Sequence, residues 1–327
     1  MSKVIVSIVC TNYNKGDWIA EAIESFLRQK ANFEYEILLI DDKSADHSKE
    51  IIKKYAKKYP EKIRAFYNKK NLGITRTWIK ICKEAKGKYI ARCDGDDYWI
   101  DENKLQRQVD ALEKNNNSSW SCTDYDIVNP EGKVIHGSAV ESGYIQRPKS
   151  YAEMLATKGF TMSSTWLVDS SLMKEINTEL NQSAVDDTFN IQLELFNKTT
   201  LSYLPKTTTA YRFMEGSDSH PIAVEKTKLR NKKLLETQLE YIKKYRNVSY
   251  LEIIKILLHK DIQNEITSTE RLQLIERQGQ LINQQEVYIK KLEKNLTAIV
   301  ESRSYKLATK MQNLANIPRK VTRRKNK

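Results

Sequence analysis

Three carboxylates stand within four residues at Asp94-Gly95-Asp96-Asp97. Crowded this closely, they cannot all ionise cheaply without a cation among them. Oxygen donors of this hardness select Mg2+ or Mn2+, which keep open positions for phosphate oxygens. A calcium-binding EF-hand fails on spacing: counted from Asp94 as position 1, position 6 is Trp99 rather than Gly and position 12 is Leu105 rather than Glu. Two aspartate pairs, Asp41-Asp42 and Asp186-Asp187, add to the clustered carboxylates. An isolated acid run is more often a plain turn than a site, so its weight depends on the elements that carry it.

Those elements alternate. Val4–Val9, Tyr35–Ile40, Ile63–Tyr67 and Tyr89–Arg92 read as strands. Between them, Ile19, Ile23, Phe26 and Leu27, then Ile51, Ile52 and Tyr55, then Ile74, Trp78, Ile79 and Cys82 recur at helical spacing. Repeated strand–helix units predict a parallel, doubly wound sheet, with ligands outside the carboxyl ends of the strands. The residues at those ends are Thr11-Asn12-Tyr13-Asn14, Asp41-Asp42, Asn71-Leu72-Gly73 and the acid run itself. Neither a G-x-G-x-x-G fingerprint nor a Walker A loop is present, so a dinucleotide or P-loop site is not expected.

Beyond residue 118 the reading is less regular. Strands are predicted over Ser119–Val128, Ser163–Val168, Leu201–Leu204 and Thr208–Phe213, with a turn at Pro130-Glu131-Gly132. Helices are predicted over Tyr151–Leu155, Asp186–Phe196 and from Ile222 onward. Ile275, Ile282, Ile289 and Leu296 recur every seven residues, with Gln278, Gln285, Leu292 and Ile299 between them. The seven-residue spacing supports a short coiled coil and pairing of C-terminal helices into a homo-oligomer, against which stands the polar half of the intervening positions.

At this point the sequence resembles the family 2 glycosyltransferases. The resemblance rests on Val6–Asn14, on Leu39-Ile40-Asp41-Asp42-Lys43-Ser44-Ala45-Asp46, on Asn71-Leu72-Gly73-Ile74, and on Asp94–Trp99 with Lys104-Leu105-Gln106-Arg107-Gln108. Tyr211-Arg212 with Ser217-Asp218-Ser219-His220 adds to it. It covers about residues 3–220. It implies a GT-A-type, Rossmann-like α/β fold: a mostly parallel central sheet flanked by helices, followed by a C-terminal helical extension. It also implies metal-dependent, inverting transfer of a sugar from a nucleoside diphosphate, UDP- or dTDP-linked, to an acceptor hydroxyl.

By the same resemblance Thr11 and Tyr13 line the nucleoside pocket, Asp42 bonds the base, and Asn71, Arg76 and Asp94 belong to the nucleotide site. Asp96 and Asp97 hold Mn2+ or Mg2+. The general base is an aspartate opening a helix, here Asp186 or Asp187. Asp186 is favoured because an apolar residue, Phe189, follows it by three, leaving Asp187 as the helix cap. Many relatives have a histidine two residues after the Tyr-Arg pair. Met214 stands there in this chain, and His220 is the substitute candidate for the metal.

The 327 residues carry 55 Lys and Arg against 42 Asp and Glu, a surplus of 13. Nine basic residues and a single acid lie between Glu301 and Lys327. An apolar face of Leu307, Met311, Leu314 and Ile317, followed by Arg319–Lys327, is the pattern of a helix lying on an anionic membrane. The expected division is a transferase domain over 1–225, a helical extension over 226–302, and an amphipathic helix with basic tail over 303–327. The expected acceptor is a lipid-linked glycan of a bacterial surface polysaccharide, the expected place the cytoplasmic face of the membrane.

Two other readings compete. A nucleic-acid or membrane binding module on a degenerate scaffold has no use for a cleft of acids, which repels nucleic acid. A nucleotidyltransferase opens with a Gly-rich loop, which Thr11–Asn14 is not. The four cysteines are scattered without a C-x-x-C pair, which excludes a disulfide framework or zinc site. No secretory leader is expected, since no cleavage pattern follows Val4–Cys10.

Overall fold

The computed structural model describes residues 3–115, 117–182, 186–217, 220–245 and 249–315, and the chain divides into two compact units, 1–258 and 259–327. The first unit is built on β1 (Val6–Asn12), β2 (Tyr35–Asp41), β3 (Ile63–Tyr67), β4 (Tyr89–Arg92), β5 (Tyr98–Trp99), β6 (Trp120–Val128), β7 (Val134–His136), β8 (Leu167–Asp169) and β9 (Leu201–Arg212). They form one sheet in the order β3-β2-β1-β4-β8-β6-β9-β5, with β7 on β6.

The first four strands are parallel, as the strand–helix alternation predicts. Every residue of β1 and β2 is buried. That is why they read as continuous apolar runs rather than alternating ones: helices cover both faces. Successive side chains divide between two cores. Val6, Ile8 and Cys10 of β1 pack with α1 (Ile19–Leu27), α2 (Ser48–Lys58) and α4 (Lys104–Lys114). Val9 points the other way, toward α3 (Ile74–Cys82), α6 (Ser170–Glu179) and α7 (Asp187–Lys198).

The second half of the sheet is mixed. β8 runs antiparallel to β4 and β6, while β6 and β9 are parallel. Two expectations are corrected here. The predicted strand Ser163–Val168 is a 3-10 turn over Ser163–Thr165 followed by the short β8. Thr165 Oγ1 of the turn bonds the nearby Met162 carbonyl, while the buried Ser163 and Ser164 hydroxyls reach the distant Asp94 and Asp97. The two strands predicted on either side of Pro205 are one strand, β9; the proline sits where the register with β6 shifts, a place a strand tolerates a missing N–H.

α5 (Tyr151–Thr157) and α7 bury Tyr151, Met154, Phe189 and Leu193 against Leu234 and Tyr241 of α8 (Val224–Lys244) and Ile253 of α9 (Tyr250–Glu301). Ile253 is the single buried residue of α9. α10 (Arg303–Ala315) follows. No helix among the described residues is long and apolar enough to cross a membrane.

Candidate active site

The acid run leaves the end of β4 and folds back against the end of β1. Gly95 is needed for the approach: a Cβ there would lie 2.8 Å from Asn12 Oδ1 and 3.1 Å from Ile19 Cδ1. The loop then presents its three carboxylates to three different surroundings.

Asp97 is buried. Its Oδ2 accepts the Ser164 hydroxyl at 2.6 Å and its Oδ1 the backbone N–H of Arg212 at 3.0 Å. Burial, with Asp96 and Asp94 close by, pushes its carboxyl well above the ordinary aspartate range. Asp94 is partly exposed; it accepts the Thr11 hydroxyl at 3.1 Å and lies 3.4 Å from Arg92 Nε. Asp96 is also partly exposed, and its Oδ2 lies 2.5 Å from the Lys15 ammonium. Lys15 thus stands where a divalent cation would sit on that carboxylate.

The donor chemistry fits Mg2+ or Mn2+ held by one or two carboxylates, with phosphate oxygens and water completing the shell. Among the described residues no group of three or more His, Cys, Asp or Glu side chains is arranged to hold a metal by itself.

Below this loop lies Arg92, the last residue of β4. Its guanidinium is dry, stacked 4.6 Å from the Trp78 ring, with Nη1 2.7 Å from Asp187 Oδ2. One buried cation therefore bridges the donor-side Asp94 and the acid at the start of α7. Asp187 is pushed up by burial against the opposing pull of Arg92.

Its neighbour plays a different part. Asp186 Oδ1 accepts the Phe189 N–H at 3.1 Å, which makes Asp186 the N-cap of α7, an arrangement that typically contributes about 1 kcal/mol. Asp186 Oδ2 meets Arg230 of α8 at 2.5 Å. The expectation that Asp187 is the cap is thus corrected: Asp186 has the extended backbone of a cap, and Asp187 already lies inside the helix.

The residues expected to receive a nucleotide surround the ends of β1 to β3. Asp42 is buried, and its carboxylate takes Asn68 Nδ2 at 2.7 Å, Leu72 N–H at 2.9 Å and Gly73 N–H at 2.9 Å. Three bonds leave a carboxylate room for one more donor. Gly73, at φ 82°, makes the turn that brings both amides round. Asn71 is exposed and steadies the same turn, its Oδ1 accepting the Gly73 N–H. Asn12 donates to Asp41 at 3.1 Å, while its buried Oδ1 has no hydrogen-bond partner among the described residues. Tyr13 and Arg76 are exposed, and Arg76 makes no hydrogen bond or ion pair among the described residues.

His220 bonds the Tyr211 hydroxyl through Nε2 at 2.8 Å, and burial, then Arg230, lowers its pKa. Tyr211 in turn is raised by burial and by Asp97, Asp96 and Asp94. His220 is therefore one side chain removed from the acids. Asp218 and Ser219 lie outside the described residues. Arg212 ties the loop together: Nε to the Asp96 carbonyl, Nη1 to the Pro130 carbonyl, and Nη2 to Glu21.

Sequence reasoning missed Lys15, Arg92, Ser164 and Arg230. Arg92 alone carried a signal, a cation ending an apolar strand one residue before Cys93 and the acids. The other three are ordinary loop or helix residues until the fold assembles them.

The family description "Glycosyl transferase family 2" matches residues 7–176. A Bacillus subtilis protein named as a putative teichuronic acid biosynthesis glycosyltransferase, TuaG, is 30% identical over 138 residues, covering 41% of this chain and 53% of its own. The chain spans about a third of the length of the mycobacterial relatives it matches. Among solved structures, S. aureus TarS 1–349 in complex with UDP aligns with a TM-score of 0.56 at 18% identity, over 78% of this chain and 70% of that one. GalNAc-T7 with UDP, GalNAc and Mn2+ aligns with a TM-score of 0.53 at 18% identity, over 67% of this chain and 46% of that one. At such identities the likeness concerns the GT-A fold alone.

Proposed function

The chain belongs to glycosyl transferase family 2, and on that premise we propose that it transfers a sugar, with inversion, from a UDP- or dTDP-linked donor to an acceptor hydroxyl. The observation that carries this reading is the Asp94–Arg92–Asp187 bridge, because it sets the donor loop and a general-base carboxylate on two sides of one cation.

In this reading Thr11, Tyr13, Asp42 and Asn71 receive the nucleoside, and Arg76 offers an unpaired charge to the diphosphate. Asp96, now paired with Lys15, would hold Mn2+ or Mg2+. Asp97 anchors the loop through Ser164 and the Arg212 N–H, and its carboxylate keeps acceptor sites with which it would join Asp96 on the metal. When bound, the metal supplies Lewis-acid stabilisation of the departing diphosphate. Asp187 takes the proton of the acceptor hydroxyl as that oxygen attacks the anomeric carbon. Its carboxyl, raised by burial against the opposing pull of Arg92, is suited to taking up a proton. Asp186 positions it by capping the helix. His220 supports Tyr211 beside the acids.

The acceptor we assign is a lipid-linked glycan of a cell-surface polysaccharide, in keeping with the name of TuaG. α10, with Leu307 and Met311 exposed, and the basic residues Arg319–Lys327, which lie outside the described residues, would hold the enzyme at the cytoplasmic face of an anionic membrane.

The test is a panel of nucleotide sugars offered to the purified protein with Mn2+ or Mg2+. Hydrolysis or transfer should be lost in EDTA and in Asp96→Ala. Full activity in EDTA would sink the metal assignment. Co-sedimentation with anionic vesicles, lost on deleting 303–327, checks the membrane assignment; failure to bind at low salt rejects it.

A further inference from the structure

The long helix α9 leaves a stripe of apolar side chains without a partner. Ile275, Ile282, Ile289 and Leu296 are between 52% and 63% exposed, and Leu292 and Ile299 beside them 48% and 57%. Leu281 and Tyr288 widen the stripe on one flank and are 54% and 61% exposed. Soluble chains rarely leave an apolar face of this extent bare. A helix of 52 residues with one buried residue also draws little stability from its own chain.

The area is sufficient for a stable contact. Covering a side chain of this kind removes on the order of 60–100 Å2 of apolar surface from water. Eight such side chains on each of two helices give on the order of 1,000–1,600 Å2, which reaches the size of a stable specific interface.

The polar residues inside the stripe say what covers it. Gln278 and Gln285 hold seam positions between the isoleucines. Buried against an apolar surface, each amide would lose its hydrogen bonds without replacement. In an antiparallel pair centred on this segment, Gln278 would meet Leu296 and Gln285 would meet Ile289. In a parallel, in-register pair each glutamine meets its own copy, and one amide's N–H donates to the other's carbonyl oxygen. A polar residue at the seam fixes register in this way at some cost in stability.

We propose that residues 275–299 form a parallel, in-register two-stranded coiled coil with a second copy of this chain, its register set by Gln278 and Gln285. This proposal does not depend on the transfer reaction.

The test uses the full chain. Light scattering coupled to size exclusion at micromolar concentration should give twice the single-chain mass. The double variant Ile282→Asp/Ile289→Asp should return a single-chain mass while donor hydrolysis is unchanged. All four native cysteines are buried, so an added thiol reports alone. Gln278→Cys should form a disulfide-linked dimer under mild oxidation, because like positions face each other only in the parallel register. A monomeric full-length protein overturns the proposal, whether or not it pellets with vesicles. So does a dimer in which Gln278→Cys stays unlinked while Gln278→Cys mixed with Leu296→Cys links.

Discussion

The floor of the site and its rim are built on opposite terms. On the floor, Arg92, Asp187 and Asp97 are dry, and each is held by a near neighbour: Arg92 by Asp187, Asp97 by Ser164. At the rim, Tyr13, Asn71 and Arg76 are wet, and Lys15 and Asp96 are partly so. A charge removed from the floor strands its partner in a medium that cannot solvate it. A charge removed from the rim leaves water in its place. Stability and activity should therefore separate along this line.

The largest effect should come from the adjacent acids of α7, which fall on the two sides of the line. Asp187→Ala leaves Arg92 buried with Asp94 alone and should cost about 3–5 kcal/mol in urea unfolding. Asp187→Asn should reduce transfer by about 10²- to 10⁴-fold, the usual worth of a general base, while nucleotide binding persists. Asp186→Asn keeps a capping side chain, so it should retain most activity and lose about 1 kcal/mol or less. If Asp186→Asn is the dead variant and Asp187→Asn is active, the base is not on the floor.

A second test concerns Lys104, a buried charge of α4 that has no salt bridge among the described residues. Its ammonium is fully buried, 4.4 Å from the Trp99 ring and 2.6 Å from Gln108 Oε1. Burial holds its pKa down to about 7. Between that value and the ordinary lysine value the unfolded chain binds a proton that the folded protein lacks. This group's contribution to stability therefore rises with pH, by up to about 1.4 kcal/mol per unit. The stability difference between wild type and Lys104→Met should shift in favour of wild type from pH 7 to pH 9. A difference independent of pH would mean the ammonium is hydrated or paired.

The smallest structural effect should be at the rim. Arg76→Ala should change unfolding by less than about 0.5 kcal/mol. It should raise the donor KM several-fold with little change in kcat if Arg76 meets the diphosphate. Loss of folding stability from this substitution would erase the distinction between rim and floor.

The parallel half of the fold was legible because burial on both faces leaves an unbroken apolar run, and the polar residues that interrupt it mark the strand ends. The mixed half hid its signals. Ser163–Thr165 reads as strand because buried hydroxyls look like any buried residues in a sequence, and only the structure shows their partners, one local and two in the distant acid run. Pro205 reads as a break because a register shift opposite Thr123 and Asp124 has no sequence mark. Asp186 and Asp187 could be named but not told apart. Adjacent helical positions differ by about 100° around the axis, and what decides between them is Arg92, 95 residues away.

The bonds of Arg212 carry a consequence for how the enzyme comes into being. Its N–H closes on Asp97 across 115 residues and its guanidinium on Glu21 across 191. The family match ends at residue 176, so almost every motif residue has left the ribosome well before its supports exist. A nascent chain of that length has the acids but lacks the strand that holds them, and contacts of such long sequence separation form late. In the growing polypeptide the acid loop thus lacks its Arg212 supports until β9 has been synthesised and has paired with β6.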